Sequence, residues 1–394
     1  MIATLRSQYN QAFTDARYES IKDYLAKTYN HACAFRISET PVFVSAAFKA
    51  QLIEACEEIF DAILQPDFIA RTQGAVSINV PNETPHTHFM QIDFGVCEVD
   101  GKLMPQMIEI QGFPSLYALQ VGLAEAYQAN ADIPENMSSF FGGIDKAQYI
   151  SILRDVIVGT HKPKNVILLE IEPEKQATSI DFYATEQYLG IKILCLSKLK
   201  KDGRRLFYLD DNGHEVVVHR IYNRVIFDEL DRREDLQWEF NFTDDVDVEW
   251  AGHPNWFFRI SKYSLPLLKS QYVPESHFLH ELVDIPTDLE NYVLKPLFSF
   301  AGQGVKINVT ASDIAEVDDP TNYILQHKVN YVPIIETPDG PAKTEIRMMV
   351  VWRDGDARPI IINNICRMSK GEMVGVRYNK DKVWVGGTVC FFES

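Results

Sequence analysis

The chain has 394 residues, 46% of them hydrophobic and 24% charged, with a formal net charge of −17. Those proportions exclude a disordered or low-complexity chain, and the length allows two or three packed units with substantial cores. An acidic balance of this size argues against nucleic acid and anionic membrane surfaces as partners, while leaving room for a local basic pocket.

No apolar run reaches membrane-spanning length, and the opening MIATLRSQYNQAF lacks the apolar core of a signal peptide. The six cysteines (33, 56, 97, 195, 366 and 390) are scattered without a Cys-x-x-Cys pair. This usage points to reduced thiols in a cytoplasmic protein, with no membrane and no nucleic-acid partner and with oligomerisation left open.

In chain order, residues 1 to about 70 read as helical. Leu52, Ile53, Cys56, Ile59, Phe60 and Ile63 recur at helical spacing with glutamates between them, up to a break at Pro66. From Gly74 the period changes. Ala75 to Val80 is strand-like, Pro81 to Pro85 is a loop, and Phe89 to Val96 and Met104 to Ile110 are two strands around the turn Asp100-Gly101. Asp93 sits near the start of the first strand and Glu109 near the end of the second, so an antiparallel pair makes them neighbours. Gln111 shares a face with Glu109 by period two. Such a set of hard oxygen donors suits Mg²⁺ bound with a nucleotide phosphate; the plainer reading is two solvated or locally bonded carboxylates. His86-Thr87-His88 places two imidazoles on one face, but nothing at convincing spacing completes a zinc site, so substrate contact or packing is the preferred reading.

Residues 117 to 160 are again helical in pattern. Val166 to Leu169 is a short buried strand, Thr178 to Leu189 a helix ending at Gly190, and Ile191 to Leu196 a second strand, together a βαβ unit of a parallel sheet. Val216 to Ile221 is the next strand, and the acidic stretch 228–249 reads as a solvated helix and loop. Ser261-Lys262-Tyr263 opens a short helix through Leu268.

Residues 291–309, NYVLKPLFSFAGQGVKINV, carry the most chemistry. Two apolar runs flank the small-residue loop Ser299-Phe300-Ala301-Gly302-Gln303-Gly304, and Lys295 ends the first of them. Glycines let backbone N–H groups approach phosphate oxygens and the lysine adds a point charge, so the hairpin suits a polyphosphate. It is neither a Walker loop nor a Rossmann fingerprint, and a plain glycine hairpin is the competing reading. Tyr323 to Gln326 and Glu345 to Trp352 follow as strands, with Ile360 to Ile365 partnering the latter across Asp354-Gly355-Asp356.

The ordered set resembles an ATP-grasp ligase, in which a nucleotide lies between two α+β subdomains. The resemblance assigns phosphate and adenine contacts to Lys262, Lys295, Ser299, Ala301, Gly302, Gln303, Gly304, Leu325 and Gln326. It assigns charge stabilisation at the reacting centre to Arg347 and Arg367, on Glu345-Ile346-Arg347 and a later strand, with Asn379 and Gly386-Gly387 behind them. The metal ligands of that family usually come last; here the matching segment, Asp93 … Glu109-Ile110-Gln111-Gly112-Phe113-Pro114, comes first. That circular permutation is similar to the synthetase part of glutathionylspermidine synthetase and to eukaryotic-type glutathione synthetases, whose lysine helix Lys262-Tyr263-Ser264-Leu265-Pro266-Leu267-Leu268 also fits. Two departures stand out: Gln111 replaces the usual asparagine, and Gln91 stands where those synthetases carry an arginine.

The resemblance covers about residues 85 to 390 and leaves the helical segment over 1–73, read from periodicity, unexplained; the whole is expected to be a mixed α+β and α/β chain with metal-ligand strands and helices over 74–160, a βαβ subdomain over 161–260, and nucleotide-binding subdomains over 261–394. The resemblance implies ATP and Mg²⁺ (Asp93, Glu109, Gln111), and a carboxylate and an amine as small-molecule substrates joined through an acyl phosphate. Substrate contacts fall to loop 81–88, Ser115, Asn379 and the front helices. A non-catalytic nucleotide-binding protein and a kinase of the same fold are the alternatives.

Overall fold

The computed structural model describes residues 1–394 apart from Asp231, Phe300, Ala301, Val376 and Arg377. Its central sheet has five antiparallel strands in the order Gly386–Thr388, Ile360–Ser369, Lys343–Val351, Phe89–Val99 and Lys102–Gln111. The hairpin joining the last two turns at Asp100 and Gly101, whose φ angles of 50° and 74° match the twist of the flanking strands. Front and rear of the chain thus share one sheet, with Arg347 opposite Asp93 and Asp93 opposite Glu109.

Strand alternation divides this sheet by function. Ile92, Phe94, Val96, Ile346, Met348 and Val350 form one face and share a core with Phe48, Leu52, Cys56, Ile59 and Phe60 of the helix Ala46–Ile63. The opposite face is apolar only at one end, where Phe89, Met349 and Val351 meet Tyr117, Leu168 and Tyr222. At its other end it carries Asp93, Glu109, Glu345 and Arg347.

The βαβ expectation holds. Lys192–Cys195, Val166–Glu170, Arg220–Asn223 and Glu249–Ala251 form a parallel sheet, and the helix Ser179–Leu189 stops at Gly190 with a left-handed φ of 72°. Val166 to Leu169 are buried on both faces, as parallel strands are. A third sheet pairs Tyr323–His327 with Tyr292–Pro296 on one side and Ser276–Phe278 on the other.

Several expectations are corrected. The first 73 residues are not purely helical, since Val42–Val44 pairs in parallel with Cys390–Phe392; three apolar residues between helices carry too little period to reveal it. Ala75 to Val80 forms no strand but an irregular segment held by side chains, Val80 N donating to Asn255 Oδ1 at 2.9 Å. Val216 to Ile221 divides between Glu215–Val217, in a small antiparallel sheet with Arg205–Leu209, and Arg220–Asn223 in the parallel sheet. The acidic stretch is not solvated throughout, because Phe240, Phe242 and Val246 are buried against Trp250. After the glycine loop the chain bridges back, among the described residues, at the single pair Leu294 with Lys306. Val309 then turns into the small-sheet core and Thr310 caps the helix Ala311–Ala315. His86 and His88 follow the packing reading preferred for them: His86 stacks on Trp352 at 4.1 Å, and His88 Nε2 lies 3.0 Å from Asp354 Oδ1. All six cysteines are free thiols, and among the described residues no helix is long and apolar enough to cross a membrane.

Candidate active site

The charged end of the central sheet floors a cleft of about 1410 Å³ between that sheet, the third sheet and the C-terminal ends of the parallel strands. Glu109, Gln111, Ser115, Lys262, Lys295, Ser299, Gly302, Gln303, Gln326, Arg347, Arg367 and Asn379 all line it. Asp93 lies beneath the floor, 1% exposed.

Cross-strand pairing sets the geometry. Arg347 grips Asp93 with its guanidinium fork, Nε to Oδ1 at 2.5 Å and Nη2 to Oδ2 at 2.6 Å, while Nη1 donates to Gln91 Oε1 at 3.2 Å. Arg367 Nη2 reaches Asp93 Oδ2 at 2.5 Å and also bonds Glu345, whose other oxygen accepts from Tyr331 Oη at 3.1 Å. Burial alone would raise the Asp93 pKa, but the two guanidinium groups outweigh it and hold the carboxyl at about 2. Glu345 goes the other way. Burial and the neighbouring Asp93 and Glu109 charges lift it to about 7, despite Arg367.

Lys295 reaches the same floor through an irregularity in the hairpin. The register passes from Asp93–Glu109 to Phe94–Met107, leaving Ile108 as the extra residue of a bulge. Its carbonyl accepts from Lys295 Nζ at 2.8 Å across 187 residues of sequence, and Nζ also donates to Gln326 Oε1 at 2.6 Å. Burial pulls the Lys295 pKa down to about 8, with the Lys262 charge adding to the fall and Glu109, Glu345 and Asp93 opposing it. Lys262, in a turn of 3₁₀ helix capped by Ser261, donates to the Ser299 carbonyl at 2.5 Å and stands 3.9 Å from Glu109 Oε2.

Glu109 is the exception among the three carboxylates. It accepts no hydrogen bond among the described residues, its closest cations are Arg347 at 3.7 Å and Lys262 at 3.9 Å, and its side chain is 29% exposed. Beside it, Gln111 Nε2 donates to Gln91 Oε1 at 2.5 Å, leaving the Gln111 amide oxygen free of any hydrogen bond described here. Among the described residues no group of three or more His, Cys, Asp or Glu side chains is disposed to hold a metal ion. The donors open to a hard cation are therefore Glu109 and the Gln111 oxygen, while Asp93 serves as the counterion of two arginines.

Among the described residues, five further side-chain polar atoms around the cleft are buried without a hydrogen-bond partner: Ser299 Oγ, Gln326 Nε2, Arg367 Nε and the Nε and Nη1 of Arg224. Orphaned donors of this kind are costly unless a ligand satisfies them. Leu325 stands apart from the other expected contacts, its side chain sitting in the small-sheet core with Leu279, Leu294 and Val309. Asn379 spends its amide on its own loop, bonding Ser369 Oγ, the Lys370 and Gly371 amides and the Gly375 carbonyl. Gly304 makes the turn with a φ of 72° outside the cleft lining, and Ala301 lies outside the described residues.

Several cleft residues escaped the sequence reading, among them Tyr331, Ile108 and Arg224. Tyr331 carries no motif. The Ile108 carbonyl matters only because of a bulge, which apolar periodicity does not reveal. Arg224 has a detectable signal, since it directly follows a parallel strand, where open α/β sheets bind their ligands. It lines the cleft with its guanidinium over the Phe113 ring, 4.6 Å from the centroid.

No family model and no curated protein sequence matches the chain. Among solved structures, a glutathione synthetase-like effector from Globodera pallida, in its apo form, aligns over 96% of each chain with a TM-score of 0.58 and 11% identity. At that identity the likeness is one of fold: this chain shares the mixed α+β architecture of that structure.

Proposed function

We propose that the chain is an ATP-dependent carboxylate–amine ligase of ATP-grasp type, its strand order a circular permutation. The observation that carries this reading is the convergence on one cleft floor of four cations (Lys262, Lys295, Arg347 and Arg367) with Asp93, Glu109 and Glu345, drawn from both ends of the chain. The excess of one positive charge suits a polyanion, and the orphaned Gln326 Nε2 and Ser299 Oγ suit a nucleotide with donor-seeking atoms. Lys262 and Lys295 would hold phosphate oxygens, and Ser299, Gly302 and Gln303 would cover them.

Glu109, with the Gln111 oxygen, would hold Mg²⁺; the metal would supply charge neutralisation between phosphates. The chain's own part is positioning and electrostatics. Phosphoryl transfer to a carboxylate substrate gives an acyl phosphate, which an amine attacks with loss of phosphate. Arg347 and Arg367, fixed by Asp93, would face the negative charge that develops, in a site closed to water. Substrate carboxylate and amine would enter from the side of Ser115 and Arg224.

A second reading, a nucleotide-binding protein without turnover, draws on the engagement of Asp93 by both arginines, which removes one expected metal ligand. A kinase would stop at phosphoryl transfer. ADP release from Mg-ATP, measured against panels of amino acids, peptides and polyamines, separates the three. A ligase releases ADP fully only when acid and amine are both present, a kinase needs no amine, and a binding protein releases none. Absence of nucleotide binding altogether would end the proposal.

A further inference from the structure

A second cavity, of about 420 Å³, shares no lining residue with the cleft. It lies between the helix Ala3–Ala12, the strand Val42–Val44 and the segment 334–336, with Val42, Phe43, Ile334 and Ile335 as apolar walls. Arg6 also lines it and is 6% exposed. Its Nη1 donates to Thr40 Oγ1 and, at 3.0 Å, to the Pro41 carbonyl, and its guanidinium lies over Tyr9 and Phe43, 4.9 and 5.3 Å from the ring centroids. The Nε and Nη2 edge, the edge that takes a carboxylate in two parallel bonds, is buried and has no partner.

No carboxylate lies within ion-pair distance of Arg6 among the described residues. Burial pulls its pKa down to about 10, offset only by the Tyr9 and Tyr127 hydroxyls. A buried guanidinium without a counterion is unfavourable in itself, and folded chains normally pair such a group. Cation–π contact with two rings offsets part of that cost and leaves the fork unsatisfied. The helix beginning at Ala3 adds no capping side chain at this end, because Ile2 stands at its N-cap.

We infer that this cavity binds a small organic monocarboxylate, its carboxylate on the Nε–Nη2 edge of Arg6 and its apolar body against Phe43, Val42, Ile334 and Ile335. The exposed Glu336 on the lining disfavours a dianion such as phosphate. The site is independent of the nucleotide cleft, so the two readings fail separately.

The test uses the full chain, with thermal melting and calorimetric titration against hexanoate and 3-phenylpropionate. Hexan-1-ol serves as a neutral control and inorganic phosphate as a bare anion. The expected result is a rise in Tm and saturable binding with both carboxylates and neither control. Arg6→Met should abolish the effect while leaving the ligand-free Tm equal or higher, and Arg6→Lys should weaken binding about tenfold, since an ammonium cannot offer the fork. Should Arg6→Met fail to fold, Ile334→Trp, which fills the cavity and keeps Arg6 in the chain, should remove binding at an unchanged ligand-free Tm. No carboxylate effect at tens of millimolar, an equal effect in Arg6→Met, or equal binding of phosphate would each overturn the assignment.

Discussion

Replacing Lys295 with methionine tests the electrostatics of the cleft floor without substrate. Lys295 is 7% exposed, and burial leaves its pKa at about 8 against an ordinary 10.5. At about 1.4 kcal/mol per pH unit the gap corresponds to about 3 kcal/mol by which the folded state disfavours the protonated amine. Methionine removes that penalty but strips the Ile108 carbonyl and Gln326 Oε1 of their donor, at about 1–3 kcal/mol each, so near neutral pH the terms largely cancel. The pH dependence does not cancel. Below pH 8 the amine is protonated in both states. Between about 8 and 10.5 only the unfolded chain keeps the proton, so stability gained by deprotonation accrues to the wild type alone. Urea unfolding of both proteins, followed by tryptophan fluorescence, should show the wild type gaining about 3 kcal/mol on the variant across that window. A difference that stays flat, or shrinks as pH rises, would refute the placement of a desolvated ammonium on the Ile108 carbonyl.

Glu109→Gln should change the ligand-free stability by no more than about 0.5 kcal/mol, because the carboxylate accepts no hydrogen bond, yet should abolish Mg-dependent ADP release; melting curves and turnover together check it. Arg347→Met should cost about 3 kcal/mol in urea unfolding by leaving buried Asp93 with Arg367 alone, and Asp93→Asn in the same chain should restore part of the loss. Gly112→Ala should destabilise by about 3 kcal/mol, since a Cβ would stand 2.3 Å from the Trp256 carbonyl oxygen and strain the strand end that carries Gln111; an unchanged Tm would contradict that close approach.

How much of this was legible depended on whether the signal was local. The hairpin carrying Asp93 and Glu109 was readable because alternation and an Asp-Gly turn fix its register, and the structure pairs the two residues directly. The parallel βαβ unit was readable from a buried apolar run, a helix and Gly190. What failed had distant causes. Val42–Val44 is a strand because Cys390–Phe392 lies beside it. Val305–Val309 has the composition of a strand but meets its neighbour at one residue. The partners of Asp93 were hidden for the same reason: a carboxylate suited to a metal by type is, in the fold, bonded to guanidinium groups from strands more than 250 residues away in sequence.

The same contacts rank the charges of the cleft by how free they are to take a ligand. Asp93 is buried and bonded at short range to both Arg347 and the half-buried Arg367, and separating it from them would leave its charge uncompensated in a low dielectric. Glu345 is tied to that set through Arg367 and Tyr331. Lys295 is held by a backbone carbonyl and an amide oxygen, neutral acceptors that a phosphate oxygen outcompetes, because a hydrogen bond between two ions is roughly twice as strong as one between neutral groups. Lys262 is in the same position on the Ser299 carbonyl, and Glu109 stands more than 3.5 Å from both neighbouring cations. The arginine–aspartate set therefore acts as a fixed electrostatic floor. The exchangeable part of the site is two lysines on neutral acceptors around one unengaged carboxylate, which is where an anionic ligand with a divalent cation gains most and displaces least.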